Sequence, residues 1–263
     1  MQKAFLFLSI INKKILYAGI GSLSLLCLSL AIFSVGFSSV KIQDYFVLPA
    51  YILTQSAGKF GTLAIVLITA FCYTIRLELV KQKWYTFFRA LFTLLVFIGV
   101  MAFVNEHLTK PLLKEVRPSH YYMLQSSNQI HLLDSLYHLN KDERLTYFNQ
   151  LVEQNRNLFA QIDTRVLQHW VEEAGFSFPS GHSFNAFLLA TIIAFSLRNA
   201  RNRQLHQFYL LPFGWALGVA VSRVALGAHT EIDVCFGAAL GFVVAVLFIY
   251  FDTTRNILFF KRY

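Results

Sequence analysis

The chain has 263 residues, of which 56% are hydrophobic and only 14% charged, with a net charge of +9. Soluble domains are about one quarter charged and disordered chains are poor in apolar residues, so both classes are excluded in favour of an integral membrane protein. The basic residues gather in short clusters between apolar segments, which suits membrane topology and excludes a nucleic-acid-binding face.

The first apolar run, 15–37, follows Lys13 and Lys14. It is too long for a signal peptide and no small-residue cleavage site follows it, so a retained helix is expected. Further runs of about the 20 residues that a spanning helix needs occur at 60–75, 87–107, 180–197, 207–226 and 232–251. The predicted fold is therefore an all-α membrane protein of six transmembrane helices, a single domain over 1–263. Cys27, Cys72 and Cys235 all fall within apolar runs. Their number and spacing suit neither a disulfide framework nor a thiolate zinc site, and they read as small core residues.

Lysine and arginine set the orientation. Lys3, Lys13 and Lys14, then Arg76, Lys81, Lys83 and Arg89, then Arg198, Arg201 and Arg203, and last Arg255, Lys261 and Arg262 bracket alternate ends of the six runs. Both termini are then expected in the cytoplasm. The opposite side receives 38–59, the long stretch 108–178 and the turn at 227–231. The long stretch exceeds a bare loop. Asn140 with Glu143 forms a candidate capping box, and Leu145, Phe148, Leu151 and Val152 follow at helical spacing, so a small extracytoplasmic helical cap is expected between the third and fourth spans. Most residues of that cap read equally well as packed surface helices with no contact to substrate.

Three clusters of polar residues map to the same membrane face. Lys110 and Arg117 follow the third span, where basic side chains commonly snorkel to the interface. Pro179, Ser180 and Gly181 precede an apolar run and predict a helix start, whose free N–H groups favour an anion. A plain N-cap by Ser180 explains the same residues. His182 follows, and a lone histidine at a boundary is usually interfacial.

The stretch SRVALGAHTEID, residues 222–233, is harder to explain by structure alone. His229 and Asp233 are four apart, expected on one helix face, so Asp233 can fix the tautomer of His229. A purely structural Arg223–Asp233 pair leaves His229 unexplained and is costly in a membrane. Glu231 points elsewhere and reads as a solvated interface residue. Together Lys110, Arg117 and Arg223, the Ser180 hydroxyl, a helix end and two histidines make a candidate phosphate site, since phosphoryl transfer needs chiefly charge neutralisation and positioning. The sequence contains no Walker-type loop, paired metal-binding carboxylates or Cys-x5-Arg loop, which leaves histidine as the nucleophile.

The ordered motifs Lys-x6-Arg-Pro, Pro-Ser-Gly-His and Ser-Arg-x5-His-x3-Asp resemble the signature of the type 2 phosphatidic acid phosphatase (PAP2) superfamily. The stretch HWVEEAGFSFPSGHSF, residues 169–184, resembles most the bacterial phosphatidylglycerophosphatase branch of that superfamily. The resemblance implies that His229 attacks phosphorus to form a phosphohistidine, that Asp233 orients it and that His182 protonates the departing lipid oxygen. It implies that Lys110, Arg117, Ser180, Gly181 and Arg223 hold the phosphate oxygens, with no cofactor and no metal.

A phosphate site at the end of a helix bundle is reachable by lipid headgroups, so lipid phosphates in the bilayer are the expected partners. The resemblance implies phosphatidylglycerol phosphate, phosphatidic acid, lysophosphatidic acid, diacylglycerol diphosphate and undecaprenyl diphosphate, in the inner membrane of a bacterium with the site facing the periplasm. An outward site makes recycling of undecaprenyl diphosphate, the carrier of cell-wall synthesis, topologically simple. Phosphotransfer to another lipid would use the same intermediate. Haloperoxidases that share the motifs are soluble, which the spanning runs argue against; a transporter predicts charges near mid-span and an inverted repeat of short broken segments, and a silent scaffold does not require every catalytic position to be intact. Gly237 and Gly241 suit close helix packing, within the chain or between chains. The oligomeric state is open.

Overall fold

The computed structural model describes residues 13–33, 44–75 and 77–255, and every element among them is helical. Lys3, Arg76, Lys261 and Arg262, which enter the charge reading, lie outside the described residues, as do 34–37 of the first expected span.

Helix α1 (Lys13–Phe33) is followed by α2 (Asp44–Ser56) and α3 (Lys59–Thr74), which are bent by 59° across a two-residue break. Next, α4 (Val80–Val104) continues through a π turn at Asn105–Thr109 into the short α5 (Lys110–Leu113). Lys114, in the left-handed region at φ 50°, ends it. By length and composition, Lys13–Ile32, Val80–Leu113, Arg203–Ala225 and Glu231–Asp252 can each cross a membrane, and the bent α2–α3 pair makes a fifth if it is one span.

Two of the six expected spans differ from their sequence reading. The run at 60–75 is only half of the α2–α3 pair, and part of the segment read as lying outside the membrane is helical. The run at 180–197 is α10 (Gly181–Arg198), 18 residues that are not among the helices apolar enough to qualify. Its middle, Ala186 to Ser196, is buried throughout. A helix enclosed by others does not need a lipid-compatible surface, which is why it tolerates Asn185, Thr191 and Ser196.

Around α10 pack α11 (Leu211–Ala225), α12 (Glu231–Arg255) and α3. In a bilayer, helices associate by close packing rather than by escape from water. Gly237 and Gly241 supply it. A Cβ at the first would lie 2.4 Å from the carbonyl oxygen of Ser180, and one at the second 2.2 Å from that of Phe184. The small-residue pair therefore serves contact within the chain. Cys72 is buried as expected, but Cys27 is exposed and Cys235 half-buried, so these two are not core residues.

Between α5 and α10 the chain forms short helices: α6 (Pro118–Ser126), α7 (Leu133–His138), α8 (Lys141–Gln154) and α9 (Thr164–Glu172). The Asn140–Glu143 capping box starts α8 as the sequence indicates, with both reciprocal hydrogen bonds at 2.9 Å. Phe148 and Leu151 from its apolar face join Met123, Leu136, Val166 and Trp170 in a second apolar cluster. Trp170 ties that cluster to the helix bundle by donating from Nε1 to the Leu226 carbonyl at 2.6 Å.

Candidate functional site

The site is assembled around the turn from α11 to α12. Helix α11 ends at Ala225, and Gly227 adopts φ 68°, which glycine reaches without steric cost. The amides of Ala228 and His229 both turn back to the carbonyl of Arg223, at 3.0 and 3.3 Å. This brings His229 beside the end of the helix that carries Arg223.

His229 lies before α12 rather than on its first turn, so the expected shared helix face is not what joins it to Asp233. Instead Thr230 N donates to Asp233 Oδ2 at 2.9 Å and Asp233 N donates to Thr230 Oγ1 at 3.2 Å. That exchange, a capping-box geometry, draws the carboxylate back over the turn. Its Oδ2 then sits 3.3 Å from Nδ1 of His229. Ser177, which sequence reasoning missed, donates to Asp233 Oδ2 and lies 3.2 Å from the same ring nitrogen.

The other ring nitrogen of His229, Nε2, lies 3.3 Å from Nη1 of Arg117. A guanidinium can only donate, so Nε2 accepts and the proton sits on Nδ1, toward Asp233. Burial, and then the Arg117 charge, push His229 well below the ordinary imidazole range and keep it neutral.

Arg117 is 3% exposed and held along its length: Nε donates to Gly175 O at 2.9 Å, and Nη1 reaches Ala228 O at 2.9 Å and Glu173 Oε2 at 2.7 Å. Snorkelling therefore does not describe it. Arg144 of α8 donates to the neighbouring carbonyl of Ala174 at 2.8 Å, so the segment leading to the site is braced from the short helices.

Arg223 is fully buried; Nη1 lies 2.7 Å from His169 Nε2 and Nη2 donates to Glu173 Oε2. Its Nε has no hydrogen-bond partner among the described residues.

Glu173, another residue that sequence reasoning missed, lies between the two guanidinium groups. Burial alone would raise its carboxyl pKa, but Arg223 and Arg117 outweigh burial and hold it well below the carboxylate range. His169, four residues earlier on α9, is pushed down to about 4 by burial despite the Glu173 charge. The spacing of His169 and Glu173, one helical turn apart and ahead of Pro-Ser-Gly-His, was the sequence signal for this pair.

Ser180 caps α10, its Oγ accepting from Ser183 N at 3.4 Å and from Ser183 Oγ at 3.0 Å. Capping uses acceptor lone pairs and leaves the Ser180 O–H to donate, so the cap and phosphate readings coexist. Ser180 N donates to the Asp233 carbonyl at 3.1 Å, which ties the start of α10 to that of α12. In the first turn of α10, His182 has Nδ1 3.8 Å from Glu173 Oε1 and a side chain 20% exposed.

Lys110, Arg117, Gly181, His182 and His229 line one cavity of about 490 Å³. Lys110 donates to Glu106 Oε2 at 2.9 Å. Ser180, Arg223 and Asp233 stand behind these residues, linked through the hydrogen bonds above. Glu231 is half-buried and does not line the cavity. The arrangement offers a neutral imidazole nitrogen, a second histidine and converging cations, which is what displacement at phosphorus needs.

The chain is similar to known proteins of one family. A family model described as the PAP2 superfamily matches residues 90–257. Phosphatidylglycerophosphatase B of Escherichia coli (strain K12) is 26% identical over 208 residues, 78% of this chain and 76% of that protein. The protein of the same name from Bacillus subtilis (strain 168) is 34% identical over 102 residues, 34% of this chain and 50% of that protein.

Proposed function

The chain belongs to the PAP2 superfamily, and from that premise we propose that it hydrolyses lipid phosphates through a phosphohistidine on His229. Nε2 of His229 attacks phosphorus as the bond from phosphorus to the lipid oxygen breaks, and His182 gives that oxygen a proton. Water then attacks the phosphohistidine, returning a proton to His182, and the N–P bond breaks to release inorganic phosphate. Asp233, aided by Ser177, stabilises the imidazolium side of His229. Lys110, Arg117, Ser180, Gly181 and Arg223 bind the phosphate oxygens, and no metal takes part.

The observation that carries this reading is the pair of contacts on the His229 ring, Asp233 at Nδ1 and Arg117 at Nε2. They put the ring proton on Nδ1 and leave the Nε2 lone pair on the side of Arg117, one of the cations that line the cavity.

We further read the chain as a six-span protein of a bacterial inner membrane, α2–α3 and α10 being the second and fourth spans. Both termini are then cytoplasmic and the short helices α6–α9 form a periplasmic cap. Phosphatidylglycerol phosphate and undecaprenyl diphosphate are the substrates to rank first, with phosphatidic acid and diacylglycerol diphosphate beside them.

The test is phosphate release by detergent-purified protein with EDTA present, from undecaprenyl diphosphate and phosphatidylglycerol phosphate, beside His229→Ala. Release that survives EDTA and is lost in the variant is expected. No release from either lipid by folded protein would refute hydrolysis and turn attention to phosphotransfer.

A further inference from the structure

The break between α2 and α3 reaches the candidate site. Thr54 Oγ1 lies 2.8 Å from Ser222 Oγ, next to Arg223, and Trp215 Nε1 donates to Ser56 Oγ at 2.9 Å. These contacts pin the break so that a Cβ placed on Gly58 would lie 3.6 Å from Nε2 of His182. The next residue, Lys59, is exposed and lines the same cavity as His182 and His229.

The other cations lining that cavity each contact a carboxylate, and Glu172 lines it without an ion pair among the described residues. Glu106 pairs with Lys110 at 2.9 Å and with Lys141 at 3.2 Å, and Glu173 pairs with both Arg117 and Arg223. Lys59 makes no ion pair among the described residues. Ile98, Met101 and Phe184 also line the cavity and give it apolar wall suited to a lipid chain.

His182 acts, on the reading above, at the oxygen that leaves with the lipid. The atoms attached to that oxygen therefore sit beside Gly58, in the cavity that Lys59 also lines. In a simple phosphomonoester those atoms are uncharged carbons, for which a cation offers nothing. In a lipid diphosphate they are a second phosphate, whose charge rises as the bond breaks.

We propose that Lys59 forms a subsite for a second phosphate on the lipid side of the scissile one. This assignment rests on the phosphatase reading. A cation there stabilises the leaving phosphate more in the transition state than in the bound substrate, and so acts on discrimination between substrates. The shared chemistry, a second phosphate near the leaving oxygen, is offered by a prenyl diphosphate directly and by phosphatidylglycerol phosphate across a glycerol.

The experiment measures kcat/KM of wild type, Lys59→Met and Lys59→Arg for undecaprenyl diphosphate, phosphatidylglycerol phosphate and phosphatidic acid. In Lys59→Met the ratio of undecaprenyl diphosphate to phosphatidic acid is expected to fall about tenfold, Lys59→Arg to restore most of it, and the difference to shrink as salt rises. A parallel fall for phosphatidylglycerol phosphate extends the subsite to a phosphate across the glycerol; no fall there confines it to diphosphates. An unchanged ratio in Lys59→Met, with wild type active, overturns the subsite and leaves the phosphatase reading standing. Absence of phosphate release by wild type would instead remove the reading on which the subsite rests.

Discussion

The Nε2 atom of His229 lies 3.3 Å from Nη1 of Arg117. Because Arg117 must donate, the ring proton is assigned to Nδ1, and Asp233 Oδ2 at 3.3 Å is the group that keeps it there. Asp233→Asn would put an amide, able to donate, at that position and favour the wrong tautomer. The expected outcome is a loss of kcat by about 10³- to 10⁴-fold with KM little changed, on the scale seen when an orienting carboxylate is replaced. Steady-state kinetics checks it; activity within tenfold of wild type would show that Asp233 does not orient the nucleophile.

Glu173 pairs with Arg117 and Arg223 at once, its side chain 17% exposed. Glu173→Gln leaves two largely buried guanidinium groups without their counter-charge, at a cost on the order of 3 kcal/mol. An added anion would then recover part of that loss. The melting temperature of the variant is expected to fall below wild type and to rise more steeply with added inorganic phosphate or vanadate. Equal shifts in the two proteins would mean that Glu173 does not neutralise a phosphate-binding pair.

Lys110, Arg117, Ser180, His182, Arg223, His229 and Asp233 were legible because their spacing is fixed by three short segments at helix ends. Glu173, His169 and Ser177 were not singled out. They enter the site through contacts with Arg117, Arg223 and His229 across 50 to 56 residues, distances over which periodicity says nothing. The contact between His229 and Asp233 was expected from helical spacing but arises from a turn, since α12 begins only at Glu231. The break between α2 and α3 was hidden because Thr54, Gln55, Ser56 and Lys59 around Ala57 and Gly58 read as the polar boundary before the 60–75 run, not as a bend between two helices. The burial of α10 was hidden for a related reason: apolar sequence alone does not say whether the neighbour is lipid or another helix.

His120 is enclosed in the short-helix layer, stacked at 4.1 Å on Phe148, with Nδ1 2.7 Å from Tyr137 Oη and Nε2 3.2 Å from the Trp170 carbonyl. Burial, then the Arg117 charge, push its pKa down to about 3. Its folded value is below the unfolded value near 6.5, so the unfolded chain takes up the proton first. The stability it contributes is present above about pH 6.5 and declines as pH falls toward 3. Thermal stability should therefore fall from pH 7 to pH 5, with a shallower slope in His120→Gln. A transition that does not move over that interval would show that His120 is not buried in its neutral form.

Cys27 Sγ lies 3.2 Å from Cys235 Sγ, joining α1 to α12 across 208 positions of sequence. The same pair of helices meets where Gly19 faces the ring of Phe242. Exposure of Cys27 lets a small oxidant reach the pair, whereas Cys72 is buried. Treating membranes with copper phenanthroline, which accepts the two electrons as both thiols lose their protons, is expected to form one intramolecular disulfide. The product should migrate faster on a non-reducing gel, revert with reductant, disappear in Cys27→Ser and persist in Cys72→Ser. Because disulfide formation requires Cα atoms within about 7 Å, failure to cross-link under conditions that oxidise an exposed control pair would mean that α1 does not pack against α12 at this level.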